Sequence, residues 1–90
     1  MNQPDEETRR EIIRLGKERY EKDVRATVEA DPRNKGKMLA IDVRTSQYEV
    51  GDDILIAVEA LKARLPDAEP FAVKIGYPTA ARFGYLQVKR

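Results

Sequence analysis

The chain has 90 residues, no cysteine, no histidine and a formal net charge of +1 at pH 7, which bounds it to a single domain with a modest core. The missing side chains exclude disulfides, thiolate and imidazole metal sites, and the Ser-His-Asp and Cys-His forms of nucleophilic catalysis. We therefore expect a non-enzymatic protein that needs no cofactor and no metal.

The N-terminal segment and the hydropathy of the chain bear on its localisation. The first residues, MNQPDEETRREI, lack the apolar stretch of a secretory signal. No apolar run approaches the roughly 20 residues that a transmembrane helix needs. We expect a cytoplasmic protein without a membrane partner.

The first predicted element is a long, charged helix over about residues 5–29. Pro4 suits a helix N-terminus because its missing N–H has no helical partner there. The apolar stripe of this helix is narrow and consists of Ile12, Ile13, Leu15, Tyr20, Val24 and Val28. Gly16 costs about 1 kcal/mol relative to alanine inside a helix. It either allows a close backbone contact or marks residues 1–16 as a frayed segment.

A β-hairpin is predicted next, with strands at Lys37–Arg44 and Tyr48–Val50. Leu39, Ile41 and Val43 alternate with small or polar residues, so we expect these three to face the core. The short polar connection between the two strands makes them antiparallel.

The second predicted helix follows Gly51 directly. Asp52 is its expected N-cap and Pro66 ends it. Its inner face is predicted to consist of Ile54, Leu55, Val58, Leu61 and Leu65. Ile56 points away from this face, and it is either a single exposed apolar residue or part of a contact surface.

The remaining apolar alternation predicts a third strand over Pro70–Tyr77 and a fourth over Arg82–Val88. The element order α-β-β-α-β-β indicates an α+β fold, one domain over residues 1–90 with its core in 36–88. We expect a small, antiparallel-rich sheet with the second helix packed on one face. The first helix is expected to lie in the same layer or to project outward.

Several short motifs in a fixed order resemble a family of short, uncharacterised bacterial proteins that is frequent in cyanobacteria. The shared pattern GKxxAID…YEV…PDA…VGY…RFG corresponds here to Gly36–Asp42, Tyr48–Val50, Pro66–Ala68, Ile75–Tyr77 and Arg82–Gly84. The resemblance covers about residues 17–84. It implies a small α+β domain with an accessory or regulatory role, because members are often encoded beside small retropepsin-like aspartic proteases or in toxin–antitoxin-like neighbourhoods.

The chain departs from the family pattern in two places. The usual Thr-Gly-Asp turn is Thr45-Ser46-Gln47 here, which puts a glycine-dependent hairpin geometry in doubt. The second helix is also more apolar than the pattern implies, which favours self-association or a partner helix on that face.

One carboxylate cluster could be assembled by the hairpin: Asp42, Glu49, Asp52 and Asp53. Several oxygens together suit Mg²⁺ or Ca²⁺. The alternative is helix capping and cross-strand ion pairing. We favour the alternative, because the spacing matches no calcium loop.

The C-terminal part of the chain is basic, since residues 70–90 carry four basic side chains and no acidic one. This bias suggests an acidic partner, although strands are poor in Asp and Glu in any case. Basic residues interleaved with aromatic ones can also bind nucleic acid. The candidates for that alternative are Lys74, Arg82, Tyr85, Lys89 and Arg90.

The leading hypothesis is a protein-interaction or regulatory module, antitoxin-like or associated with a protease. The expected binding surface combines the last strand, the loop before it and the outer flank of the second helix. Its candidate residues are Ile56, Tyr77, Arg82, Phe83 and Tyr85. A homodimer formed through the same surface is the variant of this hypothesis.

Overall fold

The computed structural model describes residues 6–77 and confirms a small α+β fold. A long N-terminal helix precedes a three-stranded antiparallel sheet and a second helix packed against that sheet. The elements are α1 (Glu6–Arg19), a π-helical turn (Tyr20–Val24), α2 (Arg25–Glu29), a 3₁₀ turn (Pro32–Asn34), β1 (Met38–Asp42), β2 (Tyr48–Gly51), α3 (Ile54–Arg64) and β3 (Pro70–Lys74). The predicted fourth strand, Arg82–Val88, lies outside the described residues. No helix within residues 6–77 is both long and apolar enough to cross a membrane.

The strand order is β2-β1-β3, with both neighbours antiparallel to the central strand β1. Met38, at the start of β1, pairs with Gly51 on one side and with Lys74 on the other. β3 ends at Lys74 rather than at Tyr77, because Gly76 adopts φ +89° and turns the chain.

Helices cover both faces of the sheet, so the prediction that the first helix shares a layer with the second or projects outward is wrong. Leu39, Ile41 and Val43 face the N-terminal helix and form the larger core with Phe71 and its neighbours on β3. The opposite face carries a smaller core built by α3. Its residues are Ala40, Ala57, Val58, Leu61 and Ala68. The physical reason is that alternate residues of a strand point to opposite faces, and Ala40 gives β1 a second apolar side.

The π-helical turn keeps the buried stripe of the N-terminal helix on one face. The buried residues recur at every fourth position: Ile12, Gly16, Tyr20, Val24 and Val28. In an ideal α-helix each step of four residues overshoots a full turn by about 40°, so this stripe would drift by about 160°. The wider π turn takes more residues per turn and offsets that drift. The long helix can therefore keep its buried side toward the sheet from Ile12 to Val28.

Tyr20 is the largest fully buried side chain of the main core. Its hydroxyl donates to Glu29 Oε2 at 3.4 Å. Burial, and then the Glu29 carboxylate, raise the pKa of Tyr20 above its ordinary value. The hydroxyl therefore remains a protonated donor, and its polar atom is satisfied inside the core.

One residue of the hairpin turn adopts the left-handed backbone conformation, although the turn lacks the glycine of the pattern described above. Ser46 adopts φ +67°, a conformation that L-residues rarely take. Its Oγ donates to Asp23 Oδ2 at 2.8 Å, and Arg19 Nε donates to the Val43 carbonyl at 3.1 Å. These two bonds fasten the turn to the N-terminal helix and hold Ser46 in place.

The N-cap of helix α3 lies one residue later than predicted. The N-cap is Asp53, not Asp52, and its carboxylate accepts from Ile56 N at 3.0 Å. Leu55, expected on the inner face, is 53% exposed. It lies about 100° of helical rotation from Ile54 and from Ile56, beyond the margin of the buried set, whose centre is near Ala57 and Leu61.

Gly16 allows the close contact that was one of its two interpretations. A Cβ at this position would lie 2.2 Å from Phe71 Cγ and 2.7 Å from Phe71 Cβ. The backbone of α1 therefore rests directly on the Phe71 side chain. The interpretation of residues 1–16 as a frayed segment stays a prediction.

Replacing Gly16 by alanine is expected to destabilise the protein, against the helix-propensity gain of about 1 kcal/mol. The added methyl overlaps Phe71, and overpacking of this kind costs about 1–3 kcal/mol. Urea unfolding followed by far-UV circular dichroism measures the change. Phe71→Ala provides the control, because it removes the Cγ and Cδ2 atoms that the methyl would meet, so the double variant should lose less than the sum of the two single losses. A Gly16→Ala protein more stable than wild type contradicts the contact.

Candidate functional site

One end of the sheet brings together parts of the chain that are far apart in sequence. Gly51, Met38 and Lys74 lie side by side in one row across the three strands. Residues paired in this way share a face of the sheet, and Ala40 shows that this face is the one covered by α3. Since α3 begins three residues after Gly51, its first turn lies at the same end as Lys74.

The exposed large apolar side chains of the described residues belong to the two segments that lie at this end, the first turn of α3 and the turn after β3. Leu55 is 53% exposed, Ile56 50% and Tyr77 47%. Met38 adds a half-buried side chain in the same row. We call Met38, Leu55, Ile56, Lys74 and Tyr77 the apolar end face. Single exposed apolar residues are ordinary on protein surfaces, whereas a cluster of them is typical of an interaction site.

Ile56 is held in place by its own backbone and by its neighbour on β2. The Asp53 carboxylate accepts from its N–H at 3.0 Å. A Cβ on Gly51 would lie 2.9 Å from Ile56 Cγ2, so the Ile56 side chain rests on the bare backbone of Gly51. The apolar surface at this corner is thus ordered before any partner arrives.

Lys74 and Tyr77 form the other corner of the apolar end face. Lys74 Nζ lies 5.1 Å from the centre of the Tyr77 ring, within the range of a cation–π contact. Tyr77 N also donates to Lys74 O at 3.2 Å, closing the turn. This corner therefore presents an aromatic ring with a positive charge beside it.

The C-terminal turn of α3 is fixed to β2 by one arginine. Arg64 Nε donates to Glu49 Oε2 at 2.7 Å, and Nη1 donates to Gln47 Oε1 at 2.6 Å. Nη2 donates to the Tyr48 carbonyl at 3.2 Å. The helix thus runs back along β2, from Ile56 over Gly51 to Arg64 beside Glu49.

The four carboxylates considered for a cation do not come together. Glu49 pairs with Arg64, Asp53 caps α3, and Asp52 lies 3.8 Å from Lys37 Nζ. Residues 6–77 hold no group of three or more acidic side chains placed to bind a metal ion. Capping and ion pairing therefore account for these three carboxylates, but the cap is Asp53 and Glu49 pairs with Arg64 of α3 instead of across the strands.

Asp42 has a structural role at the end of β1. Its side chain is almost fully buried and accepts from Thr45 Oγ1 at 2.7 Å and from Glu69 N at 2.9 Å. Burial alone would raise the pKa of Asp42, but the hydrogen bonds from Glu69 N, Thr45 and Arg44 N outweigh it and lower the pKa. The carboxylate joins the hairpin turn to the segment before β3.

The structure places only part of the predicted site. It brings Ile56, Lys74 and Tyr77 to one end of the sheet, although they belonged to two different hypotheses. Arg82, Phe83, Tyr85, Lys89 and Arg90 lie outside the described residues. Sequence reasoning missed Leu55 and Met38. A strict 100° per residue for the second helix would have put Leu55 outside the inner face.

Comparison with known proteins adds no relative. No protein-family model, no curated protein and no solved structure matches this chain. The functional argument therefore depends on the surface described above.

Replacing Asp42 by asparagine tests its hydrogen-bonded role. The folded pKa lies below the unfolded value of about 4, so the carboxylate contributes stability above about pH 4 and loses it as the pH falls through the folded pKa. We expect Asp42→Asn to lose about 1–2 kcal/mol at pH 7 and to decline less in acid. Urea unfolding at a series of pH values measures both effects.

The matched control is Asp67→Asn, which changes an exposed carboxylate nearby. It should follow the wild-type curve closely. Identical pH curves for Asp42→Asn and wild type would show that the buried carboxylate does not support the fold.

Proposed function

We propose that this chain is a non-enzymatic protein-interaction or regulatory module that binds its partner on the apolar end face. The observation that carries the proposal is that Leu55, Ile56 and Tyr77, each about half exposed, all belong to segments at one end of the sheet. Exposed apolar clusters on small domains are typical of binding sites.

The energy available at this surface supports a specific interaction. Fully burying a large apolar side chain contributes about 1.5–3 kcal/mol, so covering the exposed halves of three such residues contributes roughly 2–4 kcal/mol. A few well-buried residues of this size dominate most interfaces. Ile56 is the strongest candidate, since Gly51 and Asp53 already fix its position.

The charge of the Lys74 corner favours an acidic partner, whereas Asp52 and Asp53 make the α3 corner acidic. Lys74 is the charged residue of the apolar end face, and residues 70–90 contain four basic side chains and no acidic one. A complementary partner would present apolar side chains bordered by carboxylates. The family resemblance adds an accessory role in a bacterial cytoplasm, of an antitoxin-like or protease-associated kind.

Nucleic-acid binding is the second candidate function. The observation in its favour is the contact between Lys74 and Tyr77, because an aromatic ring beside a positive charge suits a stacked base and its phosphate. The other residues of that hypothesis, Arg82, Tyr85, Lys89 and Arg90, stay predictions. Binding to single-stranded RNA that weakens steeply with added salt would favour this function over the first.

Replacing Ile56 or Leu55 by aspartate is expected to abolish partner binding, because a buried, unpaired carboxylate opposes the contact. Both positions are exposed, so the fold should survive. Tagged variants are used for affinity purification from the native host, and mass spectrometry identifies the proteins that co-purify.

The matched control is Ala26→Asp, on an exposed site of α2 across the sheet. A protein retained by wild type and Ala26→Asp but lost from both α3 variants supports the proposal. The same set of proteins in all four samples would contradict it.

A further inference from the structure

We propose that this chain also pairs with a second copy of itself through the outer edge of β2, joining two sheets into one. The β2 edge consists of Tyr48–Gly51 with Ile56 above it. This inference rests on the proposed function only through Ile56, which the two surfaces share. The remaining observations concern β2 and the position and charges of α3.

The hydrogen-bond pattern of the hairpin shows which peptide groups β2 turns outward. Asp42 N donates to Gln47 O at 2.8 Å, as in a hydrogen-bonded pair of an antiparallel ladder, although the Asp42 carbonyl accepts from Ser46 N of the turn. Such pairs alternate with non-hydrogen-bonded pairs along an antiparallel ladder. Glu49, opposite Ala40, therefore directs its peptide groups to β1. The peptide groups of Tyr48 and Val50 point to the outer side, where no strand of residues 6–77 lies.

One register satisfies these outward groups best. In a two-fold antiparallel pair with Tyr48 opposite Val50 of the second copy, both outward residues of each chain form hydrogen-bonded pairs. A register that pairs Val50 with its own copy leaves Tyr48 opposite Asp52, beyond the end of β2. The first register also sets an aromatic side chain against a β-branched one, a favourable cross-strand pair. The Tyr48 carbonyl, already bonded to Arg64, has a second lone pair for this contact.

The same symmetry places the two α3 helices at packing distance. Helix α3 packs across β1 and β2. With strands about 4.8 Å apart, the two helices lie about 10 Å apart, close to the roughly 8–10 Å of packed helices. They run antiparallel, so Ile56 of one copy meets the alkyl part of Arg64 of the other. The exposed half of Ile56 is covered there.

The charges along α3 are complementary under this two-fold. Its N-terminal end carries Asp52 and Asp53, and its last turn carries Lys62 and Arg64. Antiparallel packing brings the acidic end of each helix to the basic end of the other, as the two helix dipoles also favour. At the centre, the two Glu49 carboxylates approach each other, but each already accepts from its own Arg64 at 2.7 Å. A second copy of this chain is therefore the partner that the β2 edge fits.

Single-cysteine cross-linking tests the register directly, because the natural chain has no cysteine. Glu49→Cys places two sulfur atoms across the two-fold in a non-hydrogen-bonded pair, with Cα atoms about 4.5 Å apart, which suits a disulfide. Mild oxidation should convert most of this variant to a covalent dimer. Lys62→Cys, on the solvent side of α3, is the matched control and should cross-link at least about tenfold less. Equal cross-linking of both variants overturns the proposal.

Val50→Pro supplies a second test without cysteine. It removes an outward N–H, which is the position where an edge strand tolerates proline. Light scattering should give the wild-type protein twice the mass of one chain. The dimer of Val50→Pro should be at least about tenfold weaker, since the two-fold contact loses two hydrogen bonds. Circular dichroism confirms that the variant is folded, and cross-linking of Glu49→Cys decides the case if it is not.

The outcomes separate the two proposals. A wild-type monomer at every concentration, with Leu55→Asp still losing a captured protein, overturns the dimer and leaves the proposed function. A wild-type dimer that is broken by Val50→Pro supports the inference even when no other protein co-purifies with any variant.

Discussion

The central strand β1 is the element on which the rest of the structure depends. It pairs with both other strands, and its side chains feed both cores, Leu39 and Ile41 toward the N-terminal helix and Ala40 toward α3. Its last residue, Asp42, bonds to the hairpin turn and to the segment before β3. A five-residue strand can do this because alternate side chains point to opposite faces and neither face meets water.

The two cores differ in how much of their helices they bury. The larger core needs a helix with one buried side from Ile12 to Val28, which requires the π-helical turn and the bare backbone of Gly16 against Phe71. The smaller core consists mostly of alanines and medium-sized side chains, so α3 contributes only three fully buried residues. Some apolar side chains of helix α3 are therefore not buried in the smaller core. Leu55 and Ile56 remain on its outer surface, where they are available to a partner.

The proposed binding surface and the larger core thus lie on opposite faces of the sheet. The N-terminal helix carries charged side chains on its solvent side, in pairs such as Glu21 with Arg25, and its apolar side chains are buried in the larger core. On the other face, the row Gly51–Met38–Lys74 ends beneath the first turn of α3 and beside Tyr77. The β2 edge borders this face of the sheet, and Ile56 belongs both to the β2 edge and to the apolar end face. A binding role at this corner leaves the larger core untouched.

The sequence by itself determined the order of the main elements as far as β3, the hairpin pairing and most of the core. Local signals fix these features: strand alternation at Leu39 and Ile41, the polar turn before Tyr48, and the proline after α3. It also limited the chemistry, since a chain without histidine and cysteine lacks the usual catalytic and metal-binding groups. Of the site, it singled out Ile56, Lys74 and Tyr77, but it did not bring them together.

Only the tertiary structure decided which face each helix covers, which residue caps α3 and why Leu55 is exposed. The helix of residues 6–29 has a stripe of period four that drifts in an ideal helix, so its single contact face appears only once the π turn is formed against the sheet. The strand order also depends on contacts distant in sequence, such as Met38 with Lys74. Neither the apolar end face nor the β2 edge exists until that order is set, because their residues become neighbours only through β1.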